Sequence, residues 1–189
     1  MHLSRDVLKQ NIVDKGIVKG YSDINEQLTA NGFDVRLAAV IEILEGGTLA
    51  IKKENNKQPV LGKAWVLQGY EHRLKDYSLT EINAAEQLVI DLDPLKPYFA
   101  ITCEEVNTPE DMMFHIEART SLFRFTQSLL MRTVGEAGYK GFLVFILLPF
   151  LKSRIELGTR FAQLIFTELK GKANYEQQKN FNHQGGKLF

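Results

Sequence analysis

The apolar residues of this chain come in short runs broken by turn formers, and that punctuation limits the fold more than any other feature. Phe33, Val35 and Leu37 alternate with Asp34 and Arg36, and Val40-Ile41-Glu42-Ile43-Leu44 continues with β-branched residues. Leu88 to Leu92, a turn through Asp93-Pro94-Leu95-Lys96-Pro97, and Tyr98 to Thr102 repeat the pattern, and Thr108-Pro109-Glu110-Asp111 turns the chain into Met113 to Ala118. Leu129 to Met131, Phe142 to Leu148, Ile155 to Gly158 and Phe161 to Phe166 complete the series. Short strands at regular spacing predict an all-β sandwich or barrel with minor helix. The helix is expected at the start, capped by Ser4, with Val7, Leu8, Ile12 and Val13 at helical spacing and Gly16 as terminator. The polar stretch from Glu45 to Gly62 reads as an excursion between strands.

At 189 residues the chain fits one domain with a substantial core. Its 23 basic and 23 acidic residues cancel, which argues against a protein whose main work is gripping nucleic acid or an anionic membrane, so phosphate recognition must be local. The lone Cys103 excludes an intrachain disulfide framework and suits a reducing, cytoplasmic setting. The most apolar run, Phe142 to Leu151, is too short for a membrane helix and carries Pro149, and the N-terminus has charges where a secretory signal would have an apolar stretch. From Gly171 onward the sequence is polar, glycine-bearing and without period. Residues 1–170 are therefore read as the domain and 171–189 as an arm, which extended would reach about 60 Å against a body radius of gyration of about 15 Å.

Five segments could carry chemistry. Val134-Gly135-Glu136-Ala137-Gly138-Tyr139-Lys140-Gly141 places a carboxylate and an aromatic in a glycine-rich turn between apolar strands, where the backbone can approach a ligand closely; an ordinary solvated turn would look the same. Asn31-Gly32-Phe33-Asp34-Val35-Arg36-Leu37 sets a carboxylate at a strand entrance. Ala118-Arg119-Thr120-Ser121-Leu122 offers a guanidinium, two hydroxyls and the amides of a helix start, a donor set that suits phosphate oxygens and also plain capping. Gly158-Thr159-Arg160-Phe161-Ala162-Gln163 puts two polar side chains in a strand. In the arm, Phe181 lies among Asn182, His183, Gln184 and the pair Gly185-Gly186, where it could cover a planar base.

Taken in order, GFDVRL, ARTSL, GEAGYKG, RFAQL and an NF-x-x-QGG arm, these segments resemble the five ordered motifs of the trimeric dUTPase and dCTP deaminase superfamily, closest to its archaeal dUTPase branch. The resemblance implies a distorted β-barrel or jelly-roll protomer, a homotrimer, and active sites shared between subunits. It implies that Asp34 helps hold the water shell of a Mg²⁺ ion on the triphosphate. Arg119, Thr120, Ser121, Arg160 and Gln163 would contact phosphates, Tyr139 the deoxyribose, and Phe181 and Gln184 of the arm would close over the base. Glu136 stands where the family has an aspartate base, which displaces the carboxylate by about one methylene. A shift near 1 Å can cost about a hundredfold, and Gly135, where the family prefers a branched apolar residue, would be the compensation. Deaminases of the superfamily carry a proton-shuttling glutamate five residues beyond the last glycine of the turn; here that position is Ile146. The implied activity is hydrolysis of dUTP to dUMP and pyrophosphate, with dCTP deamination or a non-catalytic, regulatory nucleotide-binding role as alternatives.

Overall fold

The computed structural model describes residues 1–131, 133–177, 183–187 and 189. In chain order the elements are α1 (Arg5–Lys15), β1 (Val18–Lys19), α2 (Ile24–Gln27), β2 (Phe33–Glu45), β3 (Val60–Leu67), β4 (Glu81–Ala85), β5 (Val89–Leu92), β6 (Tyr98–Asn107) and β7 (Met112–Ala118). There follow α3 (Thr120–Thr126), β8 (Ser128–Leu130), β9 (Val134–Gly135), β10 (Lys140–Pro149), β11 (Ser153–Glu156) and β12 (Arg160–Glu168). The expected helix forms where its signals stand. Gly16 adopts the left-handed conformation, φ 61°, and returns its amide to Ile12 O. Ser4 occupies the cap position, although its hydroxyl makes no capping bond.

The main sheet runs β8-β10-β6-β2-β12-β7-β9, antiparallel at every junction, with β3 beside β2, β4 parallel to β3, and β1 on β6. Ten strands of a twisted sheet curl rather than lie flat, and the result is a mostly β half-barrel, as the strand periodicity predicts. β5 and β11 form a separate pair. One face of the curl covers a large core in which Phe33, Phe114, Phe161 and Phe166 are fully buried and onto which Leu8 and Ile12 of α1 pack. The other face covers a smaller core of Ala39, Ile41, Leu61, Ala64, Val66, Leu74 and Ile101. β2 is buried on both faces because it lies between the two cores, so its hydrophobic alternation does not translate into a wet side. The excursion expected from Glu45 to Gly62 ends earlier, at β3, which adds a strand to the sheet from Val60.

Candidate active site

The glycine-rich segment does not form a closed hairpin. β10 pairs with β6 along one edge, but on the other edge it pairs with β8 only at Leu147, Leu148 and Pro149, and the last rung is the Met131 amide donating to Ile146 O at 3.0 Å. Beyond that rung the incoming arm leaves β10 and joins β7 instead: Val134 and Gly135 stand opposite His115 and Phe114, and Ile116 N donates to Thr133 O. The two arms meet again at the turn, where Tyr139 N bonds to Glu136 O and Gly138 N to Thr108 O. Between these points the arms enclose a slot of about 650 Å³, lined on one side by Thr133, Val134, Gly135 and Glu136 and on the other by Tyr139, Leu143, Val144 and Phe145. Among the described residues no strand fills the inner edge of β10 there, so main-chain donors and acceptors face a flat, largely apolar space.

Gly135 has a packing reason. A Cβ on it would fall 1.9 Å from Phe114 Cζ, inside the ring, so the aromatic ring occupies the room a branched side chain would need. That ring is fully buried and packs on Phe166 at 5.2 Å. The glycine thus marks an exchange of volume across the β7–β9 pair, a different account from a backbone adjustment made for Glu136. Glu136 itself is exposed at the slot wall.

Tyr139 also lines the slot; burial pushes its phenol above the ordinary tyrosine range, and its hydroxyl donates to Phe142 O at 2.8 Å. Its ring stands edge-on to Tyr175, 5.7 Å away. Tyr175 is held by its amide to Ala137 O, and its hydroxyl accepts from His183 N. Tyr175, His183 and Lys187 complete the slot wall from the tail. Sequence reading missed all three as site residues because that stretch has no period; the only available signal was its aromatic content.

Gln184 belongs to the tail's attachment. Its carbonyl accepts from Lys140 N at 2.9 Å and its amide donates to Gly138 O at 3.2 Å, so it pairs with the turn as a strand would. Gly141 and Gly186 cross at this place: a Cβ on Gly141 would come 2.6 Å from Gly186 N. Phe181, expected over the base, lies outside the described residues.

The remaining expected residues gather elsewhere. Asp34 on β2, 1 % exposed, receives Arg119 Nε at 2.7 Å and Gln163 Nε2 at 3.2 Å, with Arg160 Nη1 at 3.7 Å. Gly32 permits this, since a Cβ there would meet Leu164 O at 2.8 Å and Gln163 Cγ at 2.9 Å on β12. Arg119 also donates from Nη1 to Arg160 O, and Arg160 to Glu26 O. Burial raises the Asp34 carboxyl above the usual aspartate range, against the opposing pull of Arg119 and of the Gln163 hydrogen bond. Arg36, from the same motif, is tied instead to buried Glu104 at 2.7 Å. Thr120 and Ser121 open α3 immediately after Arg119, which stands at the cap position without a side-chain capping bond.

Asp34 is buried, and the donors on its carboxylate are Arg119 and Gln163, with Arg160 nearby. Among the described residues no group of three His, Cys, Asp or Glu side chains could hold a metal ion.

The slot and this cluster are separate places on one chain. Gln163 stands opposite Glu117 on β7 and Gly135 opposite Phe114, three residues further along. That is about 10 Å along the strand and about 10 Å across two strand spacings. None of Asp34, Arg119, Thr120, Ser121, Arg160 and Gln163 lines the slot.

A family model described as dCTP deaminase-like matches residues 2–169. This chain belongs to that family. No curated protein matches it. Among solved structures, the dCTP deaminase from Agrobacterium tumefaciens is similar at 18% identity and a TM-score of 0.56, over 87% of this chain and 47% of that one. That likeness shows a shared fold, and the family member described here spans about half the length of the Agrobacterium protein. The dUTPases of Staphylococcus aureus phage phi11 and of staphylococcal bacteriophage 80alpha are 16% and 20% identical over 50% of this chain and 79% of each of theirs, with TM-scores of 0.39 and 0.38. No helix among the described residues is long and apolar enough to cross a membrane.

Proposed function

We propose that this dCTP deaminase-like protein hydrolyses dUTP to dUMP and pyrophosphate in the cytoplasmic nucleotide pool. The observation that carries the reading is the pairing of a carboxylate, Glu136, on the slot wall with an aliphatic residue, Ile146, at the rung that closes the slot. A planar pyrimidine would lie between the arms and hydrogen-bond to their backbone, with the sugar against Tyr139. Glu136 takes a proton from a water molecule, which attacks the α-phosphorus; the bond to the bridging oxygen breaks and pyrophosphate leaves. Deamination needs a group that moves protons to and from the ring, and isoleucine cannot. A divalent cation such as Mg²⁺ would supply charge neutralisation on the triphosphate if it came with the substrate.

The phosphate-binding residues are supplied by a neighbouring copy in a homotrimer. Two features support this. Arg119, Thr120, Ser121, Arg160 and Gln163 stand away from the slot of their own chain, and exposed Phe123, Phe125, Leu129, Met131, Phe150 and Leu151 gather where α3, edge strand β8 and the end of β10 meet. Apolar surface of that kind marks an interface. Asp34 acts here by holding Arg119 in place. The test is to incubate the pure protein with dUTP or dCTP and Mg²⁺ and resolve the products: dUMP and pyrophosphate from dUTP are expected, and ammonia from dCTP would replace this reading with deamination.

A further inference from the structure

On the far side of the Gly141–Gly186 crossing from the slot, a second cavity of about 830 Å³ opens between the 3-10 turn Glu71–Leu74, the start of β10 and the tail. Arg73 forms part of its wall and is only 7% exposed. Its guanidinium lies between the rings of Tyr70 and Phe142, at 5.0 and 4.9 Å, and donates to Thr102 O and to Cys103 O. Its Nε has no hydrogen-bond partner. Nη2 is shared between Cys103 O and Glu105 Oε1, so Nε–H is the one donor of this buried guanidinium that still calls for an acceptor.

The charges around it favour an anion. Lys75, Lys140 and Lys187 line the same cavity, and none of them makes a salt bridge among the described residues. Of the acids in the wall, Glu105 is engaged with Arg73 at 3.3 Å and Glu176 with Gln184 at 3.1 Å, which leaves Asp76 to oppose three lysines.

We propose that this cavity is a second binding site, distinct from the slot, for a small phosphorylated molecule whose oxygens accept from Arg73 Nε and from the surrounding lysines. Binding itself stands independently of the hydrolytic reading; only the consequence for the slot rests on it. Gly186 and Lys187 wall both cavities, so an anion held here keeps the tail down over the slot.

Calorimetric titration of the full chain with sodium pyrophosphate, in the presence of a chelator, tests the site. Saturable binding is expected, weakened by about tenfold or more in the Lys75→Gln/Lys187→Gln double variant, a change of about 1.4 kcal/mol. Arg119→Gln removes a phosphate contact of the catalytic site, and in it the pyrophosphate binding that depends on Lys75 and Lys187 is expected to remain. Absence of binding at millimolar pyrophosphate, equal affinity in the double variant, or loss in Arg119→Gln of the binding that depends on the two lysines would each overturn the proposal. Both lysines are exposed, so the double variant retains the fold. If the parent protein released ammonia from dCTP and no pyrophosphate from dUTP, the hydrolytic assignment would fail while this site stood.

Discussion

Exchanging the volumes of Gly135 and Phe114 should reveal how the slot is held open. Gly135→Val alone forces a branched side chain into a ring 1.9 Å from its Cβ, with Phe166 behind that ring and no exposed route of escape. Overpacking of this kind costs about 1–3 kcal/mol, and the upper end applies because the ring is fully buried. Phe114→Ala alone empties a core position and costs about 3–5 kcal/mol. Independent effects would sum to about 7 kcal/mol. In the double variant the valine occupies part of the space the ring vacates, so we expect a loss of about 4 kcal/mol, hence a coupling of about 3 kcal/mol. At about 2–4 °C per kcal/mol for a chain of this length, the double variant should melt several degrees above the additive expectation. Denaturant unfolding at one fixed protein concentration, followed by circular dichroism, measures the cycle. Additivity within about 0.5 kcal/mol would refute the volume-exchange account and return Gly135 to a purely backbone role.

Glu136→Gln should leave dUTP binding largely intact and lower turnover by about a hundredfold or more, since an amide cannot take the water's proton; rapid-quench measurement of pyrophosphate release checks it, and parental turnover would exclude Glu136 as the base. dCTP should remain unconverted under conditions that hydrolyse dUTP, as read by an ammonia assay. Light scattering should report about three times the 21.5 kDa chain mass, and a monodisperse monomer that turned over dUTP would sink the shared site. Arg119→Gln should weaken triphosphate binding and also destabilise the fold by about 1–3 kcal/mol, because it leaves the buried Asp34 carboxylate short of its closest donor; unchanged unfolding would show that Gln163 and Arg160 suffice.

The strand series and the opening helix were legible because they are written in local chemistry: Gly16 ends α1 as its position predicts, and β6, β7, β10 and β12 begin within a residue or two of their apolar runs. The polar set of Asp34, Arg119, Arg160 and Gln163 was legible as a group, since these residues meet. Its geometry was not. A single strand pattern cannot tell whether a neighbour's guanidinium will cover a carboxylate, and β2 is covered on both faces. The slot was hidden for a similar reason. The residues from Met131 to Gly141 look like a hairpin in one dimension, and only the competing claim of β7 on Val134 and Gly135 pulls the arms apart. Residues 63–87 carried no assignment from sequence, although β3 and β4 form there and the 3-10 turn between them places Arg73 in a cavity.

The contact between tail and turn is written almost wholly in main chain. Gly185 N donates to Lys140 O, the Gln184 side chain mimics a backbone amide, and Gly141 and Gly186 touch where neither tolerates a Cβ. A joint of that kind reads no side-chain code from the surface it lands on, so the tail of any copy fits the turn of any other. Whether a slot is sealed by its own chain or by the next one is then a matter of tether length and local concentration, and a change in the number of residues between β12 and Gln184 could shift the molecule between self-closed and mutually closed assemblies without altering a single contact.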